Sequence, residues 1–123
     1  MGKRARARGK ADKLTAPTSE YRSDDGGAVL VLRGALTPKT RQQYAAVLAG
    51  TDRPAATVDD AWQRAVEFLF ERLAVSWEIG GVAYDAPKDL LARLRAATPD
   101  ERRFVRDTLR AHCAEWFPEV QAP

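Results

Sequence analysis

The chain has one histidine and one cysteine, His112 and Cys113, and they are neighbours in its 123 residues. A nucleophile and its base must aim at a common point, and consecutive side chains on a helix diverge, so this pair is expected to pack and not to react. Cys113 reads as a small core residue and His112 as the edge of the same apolar stripe. One cysteine and one histidine also build neither a disulfide framework nor a standard zinc site. Ser19, Ser23 and Ser76 sit in no nucleophile-elbow pattern, and Gly26-Gly27 and Gly80-Gly81 lack the spacing of a phosphate-cradling loop. Turn and helix-start chemistry accounts for the carboxylate pairs Asp24-Asp25 and Asp59-Asp60. The expectation is a protein without catalytic residues, cofactor or metal.

Cations are the more informative residues. Lys3, Arg4, Arg6, Arg8, Lys10 and Lys13 face only Asp12 within residues 1–13, a net of +5. The rest of the chain holds 14 basic and 16 acidic residues, a net of −2, so the overall +3 comes from the tail. Such a tail neutralises phosphates in a sequence-independent, salt-sensitive way, which makes it a candidate nucleic-acid contact. Arg102, Arg106 and Arg110 recur at i, i+4 and i+8 and extend that candidate. Against it stands the slightly acidic remainder, on which an arginine row is more often a solvated helix surface, with Arg103 spaced to pair with Asp107. Arginine outnumbers lysine fifteen to five, as in GC-rich genomes, so its abundance alone carries no chemistry.

Tryptophan is enriched in binding hot spots, which brings in Trp62, Trp77 and Trp116. Trp62 and Trp77 fall on the inward side of their elements and read as core. Trp116 and Phe117, beside Pro118 near the C-terminus, are the expected exposed pair and the candidate anchors for a protein partner.

The elements that position these residues follow from turn and cap signals. Asp24-Asp25-Gly26-Gly27 is a turn, Ala28–Leu32 a strand-length apolar run, and Glu20-Tyr21-Arg22 a short strand pairing back across the turn. Thr37-Pro38 opens a helix carrying Tyr44, Val47 and Leu48, and Gly50 stops it. Thr57 caps a second helix, on which Val58, Ala61, Trp62, Ala65, Val66, Leu69, Phe70 and Leu73 form one stripe. Period 3.6 then gives way to period 2: Val75, Trp77 and Ile79, then Gly80-Gly81, then Val82 and Tyr84, a hairpin pairing Ile79 with Val82 and Trp77 with Tyr84. Pro87 starts a helix with Leu90, Leu91 and Leu94. Thr98-Pro99-Asp100-Glu101 starts the last with a capping box, and Val105, Leu109, Cys113 and Trp116 follow on one face.

These elements make a small, mostly helical α+β domain with a β-hairpin and an N-terminal strand over residues 20–118. Residues 1–19 are expected to be a disordered basic tail, having too few apolar side chains to offset the cost of ordering, and 119–123 a flexible end. No apolar run has the ~18 residues of a membrane span and no secretory signal opens the chain, so a cytoplasmic protein without membrane contact is expected.

The order of elements resembles the small tail assembly chaperones of siphophage and related phage-like tails. The residues that carry the likeness are Val29-Leu30-Val31-Leu32-Arg33-Gly34-Ala35-Leu36-Thr37-Pro38, a strand followed by a capped helix, and Val75-Ser76-Trp77 after the second helix. It extends over roughly residues 28–117 and involves no catalytic motif. The resemblance implies a protein that binds a tape-measure protein during tail assembly, as an oligomer. The basic tail and the arginine-rich last helix depart from that pattern and keep the nucleic-acid reading open.

Overall fold

A computed structural model describes residues 16–51 and 57–123. The tail cations Lys3 to Lys13 lie outside the described residues. The order is β1 (Thr18–Arg22), β2 (Ala28–Arg33), α1 (Pro38–Ala49), α2 (Val58–Leu73), β3 (Ala74–Ile79), β4 (Val82–Tyr84), α3 (Pro87–Arg95) and α4 (Pro99–Trp116). This is the small α+β domain the sequence announces.

All four strands join one antiparallel sheet in the order β1-β2-β3-β4. At the β1–β2 turn the Asp25 carboxylate accepts from the Ser23 hydroxyl at 2.6 Å and from the Gly27 amide at 2.9 Å. These bonds hold its pKa below the ordinary carboxylate value. Gly80 and Gly81 both take positive φ, which the two-residue hairpin requires, and Ile79 lies opposite Val82 and Trp77 opposite Tyr84 as expected. The two hairpins meet where β2 pairs with β3, with Leu30 opposite Trp77. Leu30, Leu32 and Trp77 are buried on the helix side, while Glu20, Arg22 and Glu78 stay exposed on the other face.

The helices start where the sequence says. Thr37, Thr57 and Thr98 each accept from a backbone amide, and Thr57–Asp60 and Thr98–Glu101 both close as capping boxes. Glu101 also receives Arg93 at 2.7 Å, and the Arg93 guanidinium lies over the rings of Trp77 and Tyr84. That arginine ties α3 to α4 and to the hairpin. No helix among the described residues is long and apolar enough to cross a membrane.

Both expected boundaries of the domain shift outward. Thr18 and Ser19, assigned to the tail, belong to β1 and pair with Arg33 and Leu32. At the other end, the Phe117 amide bonds the Cys113 carbonyl and the Val120 amide bonds Phe117, turning the chain back over α1. Val120 is buried, Tyr44 donates its hydroxyl to the Gln121 carbonyl, and Glu119 pairs with Arg41. The segment 119–123 therefore adds to the core where a free end was expected.

Candidate functional site

His112 is buried and doubly hydrogen-bonded. Its Nε2–H donates to the Arg33 carbonyl at 2.9 Å, and Nδ1 accepts the Tyr21 hydroxyl at 2.8 Å. A carbonyl only accepts, so the two bonds select the neutral Nε2–H tautomer. Desolvation lowers its pKa and outweighs the opposing pull of the Arg33 carbonyl and Glu115. Burial pushes the Cys113 thiol up to about 11, away from the reactive thiolate. Both side chains thus lie in the interior, Cys113 in the core as expected and His112 buried beyond the stripe's edge. Among the described residues, no group of three or more His, Cys, Asp or Glu is placed to hold a metal ion.

The aromatic pair expected at the surface is not there. Phe117 is 2% exposed and belongs to the core, because the C-terminal turn folds it inward. Trp116 is half-buried: its indole N–H donates to Ser19 Oγ at 3.1 Å, and its ring lies so close to Gly34 that a Cβ there would meet it at 2.8 Å. A groove of about 890 Å³ does run past Trp116, along residues 33–37. Its cations are already engaged: Arg41 pairs with Glu119 and stacks on Phe117, Arg72 stacks on Phe68, and Arg33 donates to the Arg72 carbonyl at 3.4 Å.

Trp62 departs from its expected place in the opposite direction. It was expected in the core and is 50% exposed. It keeps the direction of the apolar stripe, but near the start of α2, where Val58 is also exposed. Of the helix's buried residues, Ala61 and Ala65 beside Trp62 are small, and the large ones, Leu69, Phe70 and Leu73, lie nearer the end that runs into β3. There α4 lines the space beside Trp62 mainly with arginines. No single-helix period reveals this, because it depends on what the neighbouring helix presents.

Trp62 and Val66 of α2 line a groove of about 470 Å³ with Leu94 and Pro99. Arg102, Arg106 and Arg110 line the same groove, together with Arg103. Asp59, Gln63 and Pro123 complete its lining. The aligned arginines are therefore brought together with an exposed tryptophan. They are held to different degrees. Arg102 donates to the Arg95 carbonyl at 2.7 Å, and Arg95 in turn meets Glu67 at 2.8 Å, so the α3–α4 corner fixes one end of the row. Arg110 lies 3.9 Å from Asp107, and Arg103 lies 3.9 Å from Asp100. Arg103 was expected to pair with Asp107; the i, i+3 partner toward the helix start takes that place. Arg106, at the middle of the row, has no ion pair or hydrogen bond among the described residues.

An apolar floor with a half-exposed indole and a row of arginines can bury a hydrophobic side chain and bind carboxylates at the same time. No protein-family model, curated protein or solved structure matches this chain.

Proposed function

We propose that this chain is a non-enzymatic protein-binding module, an assembly factor whose contact surface is the groove between α2 and α4. The observation that carries this reading is Trp62, a large aromatic left half-exposed beside three aligned arginines. Trp and Arg are the side chains most enriched among residues that dominate binding energy. Phe117 loses the anchor role to its burial, and Trp116, half-buried and bonded to Ser19, is the less exposed tryptophan of the two surface candidates. The phage-type tail assembly chaperone is the specific form of this reading that the order of elements implies. In it, a segment of a tape-measure protein would occupy the groove of a cytoplasmic, oligomeric factor. The acidic balance of residues 14–123 favours a protein partner over phosphate.

The test compares the full-length wild type with Trp62→Ala and Arg106→Glu in two assays. One is retention of proteins from the cells that express the chain. The other is titration with duplex DNA and with RNA across salt. A protein retained by the wild type and lost by about tenfold in each variant supports the reading. Salt-sensitive nucleic-acid binding that Arg106→Glu weakens, with no protein whose retention depends on Trp62, overturns it.

A further inference from the structure

The chemistry of the α2–α4 groove narrows its occupant, given the protein-binding reading above. Arg102, Arg106 and Arg110 step along α4 by four residues, a rise of about 6 Å each. On α2, Trp62 and Val66 are also four residues apart and repeat the same step with apolar groups. The groove thus offers a row of three cations on α4 and an apolar pair with the same spacing on α2. A partner that meets both must carry carboxylates and apolar side chains in adjacent rows with that same pitch. An α-helix does so by construction, with carboxylates at i, i+4 and i+8 and apolar residues at i+3, i+7 and i+11.

We infer that the groove binds an acidic amphipathic helix of another protein, its carboxylates on Arg102, Arg106 and Arg110 and its apolar row over Trp62 and Val66. Charge excludes the chain's own basic tail, since residues 1–13 carry +5 and would meet an arginine wall. Shape disfavours a nucleic-acid strand. Trp62 is the only aromatic among the described residues of the lining, whereas strand-binding grooves stack successive bases on several rings. Arg106 is the centre of the contact: it is exposed and unpaired among the described residues, so binding breaks no ion pair of its own.

The experiment uses the full chain and a dye-labelled synthetic helix of about 15 residues, crosslinked to hold it helical, with the carboxylate and apolar rows just described. Three control peptides change one property each: Gln for Glu throughout the row, the same charges scattered round the helix, and an uncrosslinked version broken by proline. A thymidine oligonucleotide is the fourth ligand. Fluorescence anisotropy should show saturable binding of the helix. Affinity should fall by at least about tenfold with scattered charges, with Gln, or with Arg106→Glu, while Arg102→Lys shows a smaller loss.

Equal binding of helix and scattered-charge peptide overturns the inference, as unspecific attraction explains it. Equal binding of the proline-broken peptide, still abolished by Trp62→Ala, overturns the helix and leaves the protein-binding reading standing. Oligonucleotide binding tighter than any peptide, and lost in both Trp62→Ala and Arg106→Glu, overturns both.

Discussion

The hydroxyl of Tyr21 donates a 2.8 Å hydrogen bond to Nδ1 of His112, joining the edge strand β1 to the last helix across 91 positions of sequence. The imidazole accepts that bond only while neutral, and its other nitrogen is committed to the Arg33 carbonyl.

Acid should therefore loosen this junction. Burial lowers the His112 pKa below its ordinary 6.5, so the unfolded chain takes up a proton that the folded chain refuses. Stability is full above pH 6.5 and falls as the pH drops below it, by at most about 1.4 kcal/mol per pH unit. His112 is the sole histidine, which makes the effect assignable. Urea unfolding at neutral pH and near pH 5.5 should show the loss in the wild type and a flatter response in His112→Gln. Equal stability of the wild type at both pH values would show that the ring is solvated.

Gly34→Ala should destabilise the domain through Trp116. The glycine has no positive φ, so its backbone admits alanine, but the new Cβ would meet the indole at 2.8 Å. Overpacking of this kind costs about 1–3 kcal/mol. In a Trp116→Leu background the same substitution should cost under about 0.5 kcal/mol, the non-additivity expected of residues in contact. Additive effects in the double-mutant cycle would mean that the ring and the glycine do not touch.

Two tryptophans on successive elements should behave in opposite ways. Trp77 is fully buried against Phe70 with Arg93 over its ring, and Trp77→Ala should cost about 3–5 kcal/mol. Trp62→Ala should change stability by no more than about 0.5 kcal/mol, since half of that side chain already faces water. Denaturant midpoints of the two variants decide this, and a large loss for Trp62→Ala would make it a core residue after all.

What the sequence discloses here is what is decided within a few residues. The Thr98–Glu101 capping box, the Gly80-Gly81 hairpin with Trp77 opposite Tyr84, and the stop at Gly50 all depend on local backbone chemistry, and all are visible as residue types. The pairing of β2 with β3 is not, since Leu30 and Trp77 are brought together only by the intervening helices. Phe117 failed as a surface residue because its burial depends on a turn that folds back onto Tyr44 and α1. The candidate groove was half legible. Its arginine row stands out at helical spacing, whereas the exposure of Trp62 depends on what α4 places beside it.

The most direct measurement puts a photoreactive benzoylphenylalanine at position 62 of the full-length chain, with a second version carrying it at Val82 on the hairpin, where the side chain is 54% exposed. Irradiation in the cells that express the protein should crosslink position 62 to a discrete protein, and the crosslinked tryptic peptide should be rich in Asp and Glu. Position 82 should give no such adduct, and Arg106→Glu should abolish the one at 62. Adducts to nucleic acid from position 62, or the same protein captured equally from both positions, would contradict a binding site between α2 and α4.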